Sequence, residues 1–353
     1  MQTSDAAVRP ASRPSIIEIA EAAGVSPATV SRAFNQPGLL KPQTLARITE
    51  IAQRHGFRPS RVGRSLRSGS TRTLGVMLPT LANPVFAECF EGAEQCARAA
   101  GYSVMLTATG YDPDRESAAL QNLIDHQVEG VILTVADAAR SALPRNLQSA
   151  GMPYVLAYNE SSAHPYASVA NRRAASDMVS HLAGLGHRRI ALLTGPLTAS
   201  DRARRRLDGA RAQARRLGLE PVAHWPLPSH TAADAERLQA LLQAQPAPTA
   251  LFCSNDLLAT AVISALRTLG YGVPRDISVC GFDGMAFGAL MHPPLTTVRQ
   301  PNEDIGRAAC ANLLAQIAGR APAATDLLPH GILTGGTVAA VRPAPTSNRK
   351  SRS

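Results

Sequence analysis

From Ser15 onward the apolar residues of the 353-residue chain fall at helical spacing: Ile16, Ile19, Ala20 and Ala23 line one face. Ser15-Ile16-Ile17-Glu18 puts a serine cap three residues before a glutamate, the reciprocal pairing that opens a helix, and Gly24 closes it. Ser26-Pro27 opens a second helix, as cap and first-turn proline, running through Val30 and Phe34 to Asn35. Two short helices joined by Gly24-Val25-Ser26 predict a helix-turn-helix. A third helix is expected from about Pro42 to His55, with Leu45, Ile48, Ile51 and Ala52 turned inward and Gly56 as its stop. This three-helix head would cover residues 15–58, behind a loose polar tail at 1–14 that carries Pro10 and Pro14.

Residues 59–72 are basic and poor in apolar side chains, and read as a linker. Beyond them the period changes. Short apolar runs at Leu74–Leu78, Tyr102–Thr107, Gly130–Val135, Tyr154–Tyr158, Ser168–Ala170, Ile190–Thr194, Ala250–Cys253 and Ser278–Gly281 predict strands. Between them, helical patterns follow Asn83-Pro84, Asp114, Asn171, Asp201 and Asp256. Strands alternating with helices of this length predict parallel sheets and right-handed crossovers. About 270 residues are long for one sheet, so an α/β domain over 73–343 with two sheets and a cleft at the strand ends is expected. A basic tail, 344–353, closes the chain.

Composition sharpens this division. The net charge is +10, but residues 1–72 carry +7, residues 342–353 carry +4, and the remainder sums to −1. A neutral body with a basic head points to a separate module for a polyanion. No apolar run approaches the roughly 18 residues of a membrane span, and the polar N-terminus offers no export signal, so a cytoplasmic protein is expected. Cys89, Cys96, Cys253, Cys280 and Cys310 lie scattered, with no Cys-x-x-Cys pair, and read as buried thiols rather than metal ligands.

The run Ile19-Ala20-Glu21-Ala22-Ala23-Gly24-Val25-Ser26-Pro27-Ala28-Thr29-Val30-Ser31-Arg32-Ala33-Phe34-Asn35 resembles the LacI/GalR family of bacterial regulators. So do Gly186-His187-Arg188-Arg189-Ile190-Ala191, Cys253-Ser254-Asn255-Asp256, Val279-Cys280-Gly281-Phe282-Asp283 and Pro294-Leu295-Thr296-Thr297-Val298. The resemblance covers roughly residues 15–340. It implies a DNA-binding head on a two-lobed sensor like the periplasmic sugar-binding proteins, with one lobe at about 73–170 plus 300–330 and the other at about 171–298 plus 331–343. It further implies a homodimeric transcription regulator, expected to be a repressor. Its partners would be a pseudo-palindromic double-stranded operator and a small-molecule effector, with no cofactor, metal or membrane.

The helix opening at Ser26 would enter the major groove, with Pro27, Ala28, Ser31 and Arg32 at its exposed start. Arg32 suits guanine, whose O6 and N7 accept a bidentate fork. Pro27 and Ala28 lack side-chain donors and would read shape or thymine methyls. The hydroxyls of Ser15, Ser26, Thr29 and Ser31, with Asn35, suit phosphates and would set register; capping accounts for Ser15 and Ser26 in any case. The linker resembles the family's hinge helix, and Leu66 falls on its minor-groove wedge. Gly63 stands where the family usually has alanine, and Lys41 where it usually has a serine cap.

In the sensor, the resemblance assigns Asp283 to the acidic effector contact and Arg204 to the effector-gripping arginine. Phe86, with Val85, would supply apolar contacts from the first lobe, Tyr158 or Asn159 would line the same cleft, and Asn255 occupies a ligand position. Asp256 reads as the N-cap of its helix. Trp225 suits packing in a strand over Val222–Leu227 better than stacking on a sugar. The segments Gly75–Pro79, Val85–Glu88, Gly110–Pro113 and Gly130–Thr134 resemble the gluconate-repressor branch. With Arg202, Arg204, Arg205 and Arg206 nearby, a sugar or sugar acid is the expected effector, the acid preferred. An enzyme is disfavoured: no phosphate loop, nucleophile elbow or paired-His motif is present. A solute-binding transport protein would share the sensor but has no use for residues 15–72.

Overall fold

The computed structural model describes residues 14–57, 70–321 and 325–341. The tail at 1–13, most of the linker including Gly63 and Leu66, and the C-terminal tail lie outside the described residues. The described chain forms two compact units that meet at residues 71 and 72.

The first unit holds α1 (Ile16–Ala22), α2 (Pro27–Asn35) and α3 (Pro42–Arg54). Their inward faces meet in a core of Ile19, Ala20, Ala23, Val30, Ala33, Ile48 and Ala52. Phe34 and Phe57 close its edge, with ring centroids 5.7 Å apart. Ser15 and Glu18 make both bonds of the capping box, and Ser26 Oγ accepts from Thr29 N. Lys41 stands at the α3 cap position with no side-chain bond, and Pro42 fills the first turn.

The second unit contains two six-stranded sheets. The first is all parallel, in the order β11-β5-β4-β3-β1-β2, with β1 (Thr73–Leu78), β2 (Ser103–Ala108), β3 (Val131–Leu133), β4 (Tyr154–Ala157), β5 (Tyr166–Val169) and β11 (Thr325–Leu328). The second runs β12-β10-β9-β8-β6-β7, from β6 (Ile190–Thr194), β7 (Ala223–Pro226), β8 (Ala250–Cys253), β9 (Ser278–Asp283), β10 (Thr296–Arg299) and β12 (Gly331–Leu333). Among the described residues only the β10–β12 pair is antiparallel. Strands such as β6 and β8 are buried along their whole length, as expected for parallel strands with both faces covered.

The helices are α4 (Pro84–Ala99), α5 (Pro113–Asp125), α6 (Leu143–Ser149), α7 (Asn171–Gly184), α8 (Asp201–Arg216), α9 (Ala235–Gln243), α10 (Asp256–Thr268), α11 (Ala286–Leu290) and α12 (Asn302–Ile317). The chain passes between the sheets three times: from β5 into α7, from β10 into α12, and from β11 to β12. Two helix pairs approach through glycine. A Cβ on Gly306 of α12 would lie 1.8 Å from Cys89 O on α4, and one on Gly209 of α8 would lie 2.1 Å from Arg172 O on α7. The helix-turn-helix head and the two-lobed α/β architecture with parallel sheets are those expected from the sequence.

Candidate DNA-reading helix and effector cleft

On α2 the buried residues are Val30 and Ala33, so the opposite face is the one left free. Ser26, Pro27, Ala28, Arg32 and Asn35 are exposed, and Thr29 and Ser31 are half-buried. Asn35 Nδ2 donates to Ser31 Oγ at 3.2 Å, and Ser26 Oγ lies 2.9 Å from Thr29 Oγ1. Exposed Ser15 sits at the head of α1. Of the expected DNA contacts other than Leu66, Ser15 and Ser26 thus cap the N-termini of α1 and α2, where backbone N–H groups favour anions, and the rest follow along α2 as exposed or half-buried residues.

The cleft lies where the carboxyl ends of both sets of strands converge. Phe86 comes from α4 and packs edge-on against Tyr158, 5.5 Å away, and against Tyr111, 6.1 Å away. Tyr158 follows β4, and its hydroxyl is committed to Val85 O at 2.8 Å. Across the cleft, His230 stacks on Tyr111 with centroids 4.5 Å apart. Tyr111, Tyr158 and Asp283 all have left-handed backbones, φ 62°, 68° and 124°. Such strain in non-glycine residues persists only where the surroundings enforce it, and it clusters at binding sites.

Asp283 ends β9 and is 3% exposed. Arg206 Nη1 lies 3.7 Å from it, while Arg206 Nε donates to Asn171 Oδ1 at 2.9 Å and the guanidinium sits 3.5 Å over the Phe282 ring. Burial pushes the Asp283 carboxyl above its ordinary range and Arg206 pulls it back. Burial likewise lowers Arg206, to about 10, which still leaves it charged near neutrality. Arg202, one helical turn earlier, donates to Val135 O at 2.9 Å and lies 3.5 Å from Asp201.

Phe86, Tyr158, Asn255 and Asp283 thus come together around one pocket, but Arg204 does not join them. Its guanidinium turns outward to Asp137 at 3.0 Å and to Leu197 O at 3.1 Å. The reason is helical phase. Residues 202 and 206 share a face, whereas 204 lies about 200° around the helix from either, at the helical step of about 100° per residue. Asp256 also corrects the sequence reading. The cap of α10 is Asn255, whose Oδ1 accepts from Leu258 N at 2.8 Å. The Asp256 carboxylate instead accepts from Met285 N at 2.8 Å and Thr297 Oγ1 at 2.5 Å, fixing the turn that presents Asp283. Of the alternatives at 158 and 159, Tyr158 faces the pocket; Asn159 bonds Val135 N and Asp201 instead. Trp225 packs in the edge strand β7, donating to Arg237 O at 3.0 Å, away from the pocket.

Sequence reasoning missed Asn83, Tyr111, His230 and Gln300 as lining residues. His230 lies in a loop with no local signal; its chemistry appears only through the stack on Tyr111. His187 is a structural bridge, bonded to Thr249 Oγ1 and Ala339 O, both at 3.0 Å. Among the described residues no cluster suits a metal, and no helix is long and apolar enough to cross a membrane.

Comparison with known proteins agrees with this arrangement. Residues 15–60 match the family of bacterial regulatory proteins called the lacI family, and residues 179–338 match the periplasmic binding protein-like domain. The HTH-type transcriptional repressor PurR of Aliivibrio salmonicida is 30% identical over 306 residues, 86% of this chain and 92% of that protein. Catabolite control protein A of Priestia megaterium is 32% identical over 298 residues, 83% of this chain and 90% of its own. A crystal structure of the lac repressor dimer bound to operator and the anti-inducer ONPF superposes with a TM-score of 0.84 at 26% identity, covering 93% of this chain and all of that one. With a helix-turn-helix unit and a two-lobed α/β unit that carries a pocket between its lobes, this chain belongs to the LacI family of bacterial regulatory proteins.

Proposed function

We propose that the protein is a cytoplasmic, homodimeric transcriptional repressor that binds a pseudo-palindromic operator and whose affinity for it is set by a small polar effector, a sugar or sugar acid, held between the lobes. The observation that carries this reading is the pairing in one chain of a free polar α2 surface with a strained, arginine- and carboxylate-bearing interlobe pocket. Arg32 is the base reader, Pro27 and Ala28 read shape or methyl groups, and Ser15, Ser26, Thr29, Ser31 and Asn35 hold phosphates. Leu66 is the minor-groove wedge, a role that rests on the family resemblance alone. In the pocket, Arg206 takes the effector-gripping role with Asp283, and Phe86 and Tyr158 form an apolar wall. Binding without turnover is expected, since no nucleophile–base pair stands in the pocket.

The test is electrophoretic retardation of promoter DNA by the full chain, with and without a compound found by its effect on the melting temperature. Retardation that responds to that compound supports the reading. Retardation that ignores every compound that binds the protein removes the sensor's role. Arg32→Ala should lower affinity by about 1–3 kcal/mol and relax the preference for guanine at one position per half-site. An unchanged base preference in a selection experiment would take Arg32 out of the account.

A further inference from the structure

Cys96 on α4 and Cys310 on α12 face each other across a helix pair. Both helices deliver the chain to the start of a parallel strand of the first sheet, α4 to β2 and α12 to β11, so they run side by side in the same direction. Their backbones touch through glycine. A Cβ on Gly92 would lie 1.9 Å from Glu303 O, and one on Gly306 would lie 1.8 Å from Cys89 O. Helices packed through larger side chains stay about 8–10 Å apart, and this pair comes closer at the level of Gly92 and Gly306. One turn beyond that level stand Cys96 on the first helix and Cys310 on the second. Two cysteines can be bridged when their Cα atoms are roughly 4.4–6.8 Å apart, a span that such a close helix contact supplies. The sulfurs already meet, because the two thiols share a hydrogen bond.

The two thiols differ in access. Cys310 is buried, whereas Cys96 is half-buried at the rim of the same core. Burial and the neighbouring Cys96 raise the Cys310 thiol far above its ordinary value, so it stays protonated until a reactive sulfur is beside it. The half-buried Cys96 is therefore the one that a small oxidant in solution meets first.

The other three cysteines have no such partner. Cys89 lies two turns before Cys96 on α4, about 10 Å along the axis, and its thiol faces the Tyr158 hydroxyl. In the second sheet Phe252 pairs in register with Cys280, so Cys253 and Cys280 project to opposite faces.

We propose that Cys96 and Cys310 form an oxidisable pair, which a hydroperoxide converts into an intramolecular disulfide that ties α4 to α12 inside the first lobe. The Cys96 thiolate attacks one peroxide oxygen, the O–O bond breaks, and the leaving hydroxide takes up the thiol proton as water. Cys96 is then a sulfenic acid. The Cys310 sulfur attacks the Cys96 sulfur, the S–O bond breaks, and the second hydroxide leaves as water with the Cys310 proton. Two thiols are oxidised by two electrons in all, and one peroxide is reduced to two waters.

The test treats the folded full-length protein with a small molar excess of hydrogen peroxide, blocks free thiols with an alkylating agent under denaturing conditions, and reads the products by mass spectrometry. Two of the five thiols should escape alkylation, with the loss of two hydrogens, and dithiothreitol should restore both. Cleavage after arginine and glutamate separates Cys89 from Cys96, since Glu91 and Glu94 lie between them, and should give one peptide pair joined through Cys96 and Cys310. Cys96→Ser, at a half-buried position, should abolish the bridge. Cys310→Ala should leave the Cys96 sulfenic acid unresolved, so that a 1,3-dione reagent captures it there and not in the wild type. Five alkylated thiols after peroxide would overturn the proposal. So would Cys96 carried on to a sulfinic acid with Cys310 still free, or a bridge that uses another cysteine or a second chain.

Discussion

Arg204 and Arg206 differ by two positions on α8, and that difference separates a surface contact from a buried one. Arg206 is nine-tenths buried against Asp283, whereas the Arg204 side chain is 35% exposed. Removing a buried partner strands the opposite charge, so Arg206→Met should cost about 3 kcal/mol at pH 7. Arg204→Met should cost less than about 1 kcal/mol. Urea denaturation of the two variants measures both; equal costs would contradict the assignment. His230 supplies a pH prediction. Burial and the Arg202 charge depress it to about 4, so the folded state binds fewer protons than the unfolded state between the ordinary 6.5 and about 4. The stability due to the neutral ring is therefore complete above pH 6.5 and is lost as pH falls towards 4. The difference in melting temperature between wild type and His230→Gln should shrink across that window. A difference that stays constant from pH 7 to 4.5 would show that the ring is not held neutral. At this scale the sequence carried the residue types but not their aim. The family motif pointed to Asp283, and local pattern exposed the run of arginines. Choosing among arginines two residues apart needs the phase of a helix against a sheet, which only the packed structure sets.

Whole elements were more legible than single side chains, because hydrophobic period and caps act locally. The starts of α1, α2, α4 and α8 follow from Ser15, Ser26, Asn83 and Ser200 or their neighbours, and each of these four caps accepts a backbone bond. The short helices α6, α9 and α11 escaped notice, as did β10, β11 and β12, which have only four, four and three residues. α12 escaped for another reason. It packs against both α4 and the first sheet, so its buried residues, including Asn302, Gly306, Cys310 and Asn312, do not form one apolar stripe. Its contact with α4 depends on glycine. Gly306→Ala would drive a methyl group into Cys89 O, a backbone atom that cannot swing aside. The expected cost is about 1–3 kcal/mol, typical of overpacking. Gly184, at the end of α7, has open space where its Cβ would be. Gly184→Ala should be neutral or stabilising by about 0.5–1 kcal/mol. Thermal melts of the pair test the close approach, and similar melting temperatures would refute it.

For the whole molecule, charge segregation and the change of hydrophobic period at residue 73 were enough to separate a basic head from a neutral α/β body. The identity of the ligand was not legible, because it depends on which polar atoms remain unpartnered after the lobes have satisfied one another. Gln300 and His230 show this: neither stands in a motif, and each borders the pocket with one buried polar atom that meets no partner among the described residues. The account's central claim is that a positively charged helical head grips a symmetric duplex while the interlobe pocket sets the strength of that grip. Its most direct test is selection by the full-length protein from a pool of randomised duplex DNA, repeated with the pocket's ligand present. The prediction is enrichment of one inverted repeat whose yield changes with the ligand; a selected pool as random as the starting one, in both conditions, would contradict it.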